Sequence, residues 1–208
     1  MLTPVQVAAV ARVSTDERDA ALFTVAAFTE LRLGELRALR WGDVDFSKRL
    51  VHVRRSYTHG HAGPSKSGTV RSVPLIDHAA VPLDRLSRRE RFTGSDDLVF
   101  ATAIGTPLDD SALRKRFYAA LEAAKLGELR RKADALTFHD LRHTFGTLAV
   151  QAFPLSDVKA YTGHADIQTT MIYVHHVPRH GAAARLSAVV GEEAAMSFAE
   201  AAKDASIE

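Results

Sequence analysis

The apolar spacing of this chain changes period twice, and that pattern limits its fold more than any other feature. Over residues 4–12 and 18–31 apolar side chains recur at helical spacing, with Phe23, Ala26, Ala27 and Leu31 on one face. A further helix is expected from Gly34 to about Arg40. RLVHVRRSY (49–57) and TVRSVPL (69–75) then alternate as strands do, joined by THGHAGPSKSG, a stretch rich in turn residues. DLVFA (97–101) is expected to add one short strand. The helical period returns over 109–125, 139–152, 155–162 and 166–174, punctuated by Pro154 and Gly163. There is no internal repeat and no long linker. A β-hairpin set among helices predicts one mainly α domain with a small antiparallel sheet.

The 208 residues are 46% apolar, enough for one core. No stretch approaches the roughly 18 to 20 uncharged apolar residues of a membrane span, and the N-terminus lacks a basic segment followed by an apolar block, so no signal peptide is read. The absence of cysteine excludes a disulfide, a thiolate nucleophile and a cysteine-ligated metal. A cytoplasmic protein is the simplest fit. The net charge of +2 argues for nothing, but 20 of the 27 basic residues are arginine, which makes forked contacts with phosphate that lysine cannot. They cluster as Arg54 with Arg55, as RRER at 88–91 and as RRK at 130–132. Any one cluster reads as solvated surface; together they suit a phosphate-bearing partner.

Several polar residues do not fit simple packing. Arg32 lies between apolar runs in FTELRLGELRAL, where a charge is costly unless paired, and Glu35 at i+3 is placed to hold it as a structural ion pair. Lys66 sits in the hairpin loop, where a lysine is usually just solvated. In LTFHDLRHTFGTLAV, His139, Arg142 and His143 are flanked by Leu136, Phe138, Leu141, Phe145 and Leu148, and His139 and Arg142 at i, i+3 share a helical face. His164 follows Gly163, and Tyr173 lies near the end of the next helix. Singly, each has a structural explanation. Two arginines, a lysine, two histidines and a tyrosine together suit attack of a phenol on phosphorus. The guanidinium groups would hold the non-bridging oxygens, the lysine would protonate the leaving alkoxide, and the histidines would assist. A phosphotyrosyl ester keeps the reaction reversible.

A second chemistry competes for the same residues. HDLRHTFG imitates the zinc-protease pattern, with His139 and His143 at i, i+4 and Gly146 in register. Aspartate stands in place of the glutamate base, Ala149 occupies the third ligand position, and Arg142 would set a cation beside the metal. His175, His176 and His180 offer no good third ligand by spacing.

Four segments in order resemble the tyrosine recombinases, the phage integrase family. TELRLGELRALRWGDVDF resembles the box with the first catalytic arginine, here Arg32, and the acidic residue behind it, Glu35. PSKSGTVRSVPL resembles the hairpin of the catalytic lysine, Lys66. LTFHDLRHTFGTLAV resembles the second box, giving His139 and Arg142, and TGHADIQTTMIYVHH the third, giving His164 and the nucleophile Tyr173. The resemblance covers nearly all of residues 1–180 and implies a tyrosine recombinase catalytic domain. It implies site-specific cleavage and rejoining of double-stranded DNA through a 3′-phosphotyrosyl intermediate, with no metal or nucleotide cofactor. It further implies a homo-oligomer on DNA, a tetramer in the full synaptic complex, and accessory DNA-bending proteins as partners. DNA relaxation of the type IB topoisomerase kind and a DNA-binding relative without activity are the alternatives.

The sequence departs from the family at three places. The family usually has glycine where Glu30 stands; if that backbone needs a positive φ, glutamate costs on the order of 1 kcal/mol there. Leucine usually stands where Thr162 is. Both changes are expected to bear on packing around the site. Family members also generally carry an N-terminal helical domain that closes over DNA, and this chain is expected to lack it. Residues 181–208 form an expected helical tail with stripes at Leu186, Val189 and Val190 and at Ala194, Ala195, Phe198 and Ala202. The tail is expected either to pack on its own domain or, as the resemblance implies, to dock on a neighbouring protomer.

Overall fold

The computed structural model describes residues 1–58, 60–64 and 70–174. Helix α1 (Pro4–Val13) starts at a reciprocal cap. Gln6 N donates to Thr3 Oγ1 at 3.3 Å, Thr3 N donates to Gln6 Oε1 at 2.8 Å, and Pro4 takes the first helical position. Helix α2 (Glu17–Phe28) is capped by Asp16. It forms the centre of the core, with Leu22, Phe23, Val25, Ala26 and Ala27 all but fully buried. Phe23 meets Phe117 and Phe138 edge to face at ring separations of 5.3 and 6.2 Å.

The α2 helix ends earlier than its apolar spacing predicts. Thr29 Oγ1 donates to Val25 O at 2.6 Å, and Glu30 turns the chain with φ of +56°. Helix α3 (Leu33–Ala38) follows at once, and a single tight turn at Trp41–Asp43 leads into the sheet.

The predicted hairpin is present in modified form. Strands β1 (Val44–Asp45), β2 (Leu50–Val53), β3 (Arg55–Thr58), β4 (His61–Pro64) and β5 (Arg71–Pro74) make two antiparallel sheets. β2 lies between β1 and β5, with Val51 opposite Val73, while β3 pairs with β4 alone. The alternation of β5 turns Arg71, Val73 and Leu75 inward.

Helix α4 (Asp77–Ser87) is absent from the sequence reading. Its stripe of Ala79, Ala80, Leu83 and Leu86 is buried although Pro82 lies inside the helix. DLVFA forms no strand; it contributes only single bridges, Arg40 to Leu98 and Ala101 to Pro107. The remaining helices fall where expected: α5 (Asp110–Ala123), α6 (Asp140–Ala152), α7 (Leu155–Thr162) and α8 (Ile167–Val174). Helix α6 packs against α2, α7 and α8. No helix of the described residues is long and apolar enough to cross a membrane. The tail (181–208) lies outside the described residues, as do Lys66, His175, His176 and His180.

Candidate active site

Five chain segments converge on one buried cluster of charge. The first is the turn between α2 and α3. Arg32 stands at the start of α3, where its backbone N–H donates to Glu35 Oε2 at 2.8 Å and its Nη1 donates to Glu35 Oε1 at 3.3 Å. The ion pair expected from the i, i+3 spacing is therefore formed, with Arg32 still partly open to solvent. Glu35 has a stronger partner that the sequence reading did not single out. Arg71 Nη1 and Nη2 fork onto its two oxygens at 2.9 and 2.8 Å, and Arg71 Nε donates to Tyr161 O at 2.9 Å. Burial pushes the Glu35 carboxyl up, but Arg71 and Arg32 more than offset this and hold it below the usual range. An arginine on the inward face of an alternating strand was the signal available in TVRSVPL.

The second box sits at the start of α6. Asp140 caps the preceding turn through Thr137, accepting from its N–H and Oγ1 at 2.7 Å each. His139 precedes the helix. Burial and then the charge of Arg142 lower its pKa, so it is neutral near pH 7. His139 and His143 meet edge to face with rings 5.1 Å apart. Among the described residues no three His, Asp or Glu side chains come together as a metal site, so the zinc pattern finds no third ligand there.

Arg142 is buried and held by several partners. Its Nη2 donates to Thr162 O at 2.7 Å and lies 3.4 Å from His164 Nε2, while its Nε donates to Glu30 Oε1 at 2.5 Å. The α7 helix ends at Gly163, whose φ of +64° needs glycine and which turns the chain so that His164 faces Arg142. His164 Nδ1 lies 3.1 Å from Thr170 Oγ1. With Arg142 donating to Nε2, Nδ1 carries the proton. Burial and the nearby arginines push the His164 pKa down to about 4. His164 therefore acts as a neutral hydrogen-bonding group.

Tyr173 reaches into this cluster from α8 with only 2% of its surface exposed. Its ring stacks on His164 at a separation of 6.2 Å and an angle of 20°. Its hydroxyl is 3.1 Å from His143 Nδ1 and donates to Glu30 Oε1 at 3.3 Å. Burial, then the charge of Glu30, raises the phenol pKa above its ordinary value.

Glu30 is the residue the sequence reading misplaced. Its φ of +56° meets the condition for a backbone cost, but its role is not confined to packing. Its carboxylate, wholly buried, touches both Arg142 and Tyr173. Burial raises its pKa to about 7 against the opposing pull of Arg142. The basic clusters also prove partly structural. Arg54 and Arg55 pair with buried Asp43, and Arg89 donates to the carbonyls of Leu98 and Val99.

Two arginines, two histidines and a tyrosine from separate segments are thus gathered around one small space. The phage integrase family matches residues 3–180, and the chain belongs to it. Among curated relatives, the chain is 32% identical over 186 residues to a "tyrosine recombinase XerC-like" protein of Caldanaerobacter subterraneus subsp. tengcongensis, covering 76% of this chain and 46% of that protein. It is 33% identical over 159 residues to the tyrosine recombinase XerC of Xanthomonas axonopodis pv. citri, covering 76% and 47%. The chain thus spans about half the length of these relatives. The Tn1549 transposon integrase, solved with circular intermediate DNA, has the same fold with a TM-score of 0.69 at 23% identity, over 90% of this chain and 66% of that one. A lambda integrase dimer bound to a core site matches with a TM-score of 0.61 at 20% identity, over 83% and 58%.

Proposed function

We propose that this chain carries the catalytic domain of a site-specific tyrosine recombinase, spanning residues 1–180, that cuts and rejoins double-stranded DNA. The observation that carries the reading is the placement of the Tyr173 hydroxyl, buried beside Arg142 with His164 stacked on its ring. Tyr173 Oη attacks the scissile phosphorus, a 3′-phosphotyrosyl bond forms, and a 5′-hydroxyl leaves. Arg142 and Arg32 hold the non-bridging oxygens and neutralise charge as it develops. His164 and His139, neutral near pH 7, hydrogen-bond the phosphate. Lys66 protonates the leaving oxygen, and Glu35 with Arg71 fixes Arg32 in place. Attack by the 5′-hydroxyl of a partner strand reverses the chemistry. The exchange needs paired DNA sites and several copies of the chain, four in the complete assembly.

The test is covalent trapping on a pool of nicked DNA duplexes with randomised sequence around the nick, on which the cut fragment diffuses away and the adduct accumulates. A DNA-linked peptide containing Tyr173 is expected, and none from Tyr173→Phe with duplex affinity kept. An adduct on another residue sinks the assignment.

A further inference from the structure

Glu30 combines two costs that call for a reason. It holds a left-handed backbone without being glycine, and it buries a carboxylate completely. One of its oxygens, Oε2, is buried with no hydrogen-bond partner. The other, Oε1, is shared between Arg142 Nε at 2.5 Å and the Tyr173 hydroxyl at 3.3 Å.

From this geometry we infer that Glu30 is the general base of the cleavage step, its Oε1 taking the phenolic proton as Tyr173 Oη bonds to phosphorus. The inference rests on the reading of Tyr173 as nucleophile.

Hydrogen accounting supports it. The Tyr173 hydroxyl has one hydrogen and two neighbours able to accept it, Glu30 Oε1 and His143 Nδ1. The phenolic O–H donates to Glu30 Oε1, and with its proton on Nδ1 the His143 imidazole donates to a lone pair on the phenolic oxygen. His143 is then a positioning residue and Glu30 the acceptor. Burial brings the basicity of Glu30 to where a base works best at neutral pH, with a pKa of about 7. The raised pKa of Tyr173 means that free phenolate is scarce, so the proton must leave as the Oη–P bond forms.

The step balances. The Tyr173 O–H bond breaks and its proton moves to Glu30; the Oη–P bond forms; the P–O5′ bond breaks, and the leaving oxygen takes its proton from the other side of the phosphate. In the reverse step Glu30 returns its proton to the departing Tyr173 oxygen.

A carboxylate that merely filled the place of the phosphate would fork onto the guanidinium with both oxygens. Glu30 does not. It meets Arg142 through one oxygen only, and Arg142 also hydrogen-bonds the phenolic oxygen of Tyr173. The charged and titratable groups around it are Arg142 on α6, Tyr173 on α8 and Arg71 on β5. Arg71 is itself paired with Glu35, while His143 and His164 flank the phenol.

The experiment measures single-turnover covalent attachment to the same nicked-duplex pool from pH 5.5 to 9, at saturating DNA. The unaltered chain should speed up with pH and level off, with a midpoint near 7. Glu30→Gln keeps the shape and the acceptor oxygen. It should attach about 10²-fold more slowly, lose that rise, and bind the duplexes within twofold of the unaltered chain. Glu30→Gly suits the positive φ and opens a void. It should also be slow, and added formate should restore it at least tenfold while leaving Glu30→Gln unchanged. Attachment by either variant at or above the unaltered rate overturns the proposal, as does a failure of formate to restore Glu30→Gly. Tighter DNA binding by Glu30→Gln would assign the carboxylate instead to holding the phosphate's place. If the unaltered chain links through a residue other than Tyr173, the nucleophile assignment fails first and is distinguishable from these results.

Discussion

Gly146 and Tyr173 are fitted to each other. A Cβ on Gly146 would come within 2.6 Å of Tyr173 Cε1 and nearer still to the end of the ring, so the phenol lies directly on the backbone of α6. Glycine inside a helix costs roughly 1 kcal/mol relative to alanine, and here the close approach of the ring explains its presence. Gly146→Ala should keep the helix and displace the phenol. A misplacement of about 1 Å can cost on the order of 10²-fold in rate. Covalent attachment should fall by about that factor with circular dichroism unchanged. A normal rate would mean that the ring occupies another position in the DNA-bound enzyme.

Arg71 and Arg32 divide the work at Glu35. Arg71 is buried and forks onto both oxygens, whereas the Arg32 side chain makes one long contact and stays partly exposed. Removing one partner of a buried pair costs about 3–5 kcal/mol. Urea denaturation should therefore show a loss in that range for Arg71→Gln and a much smaller one for Arg32→Gln. Covalent attachment should behave in the opposite sense at equal folded fraction, with Arg32→Gln the more severe. Equal stability losses would contradict this division.

The sequence disclosed most of this site because its motifs are local. His139 and Arg142 lie three positions apart at the start of α6, Arg32 and Glu35 share one turn, and helical periodicity located α5 to α8. What stayed hidden depends on contacts far apart in the chain. Glu30 and Tyr173 are separated by 143 positions, so nothing local marks them as neighbours. Arg71 was legible only as an inward position on a strand. Helix α4 was obscured by Pro82, whose cost is outweighed by burial of Ala79, Leu83 and Leu86. DLVFA has strand composition, yet Val99 and Phe100 are buried as an irregular segment bridged only at single residues.

Arg142→Lys should be severe although charge is conserved. A lysine ammonium cannot hold Thr162 O, Glu30 and a phosphate oxygen in the fixed directions that the guanidinium supplies. Loss of one transition-state donor costs roughly 10² to 10³ in rate. Single-turnover attachment within tenfold of the unaltered chain would contradict the clamp.

Attachment should persist in excess EDTA. The positive charge assigned to the phosphate comes from Arg32, Arg142 and Lys66, the part a divalent ion plays in other phosphoryl-transfer sites. Activity lost to EDTA and recovered with Zn²⁺ would restore the HDLRH metal reading.

The shifted titrations of His164 and Glu30 should oppose each other in stability. His164 has its pKa lowered to about 4, below an unfolded value near 6.5. Its contribution is present above pH 6.5 and is lost as pH falls toward 4, because the unfolded chain then binds the extra proton. Glu30 is raised to about 7 from 4.5, so its contribution is present below pH 4.5 and is lost as pH rises through 7. Between pH 5 and 6.5 the two partly cancel. Glu30→Gln removes the second term alone. Denaturation midpoints of the DNA-free chain should therefore fall more steeply with acid in Glu30→Gln than in the unaltered chain over that interval. The variant should also lose the decline that the unaltered chain shows from pH 6.5 to 8. Proton NMR supplies the separate readings: the His164 ring should titrate near pH 4, well below exposed histidines. Parallel stability profiles, with His164 titrating near 6.5, would show that the site is hydrated and that neither shift survives in solution.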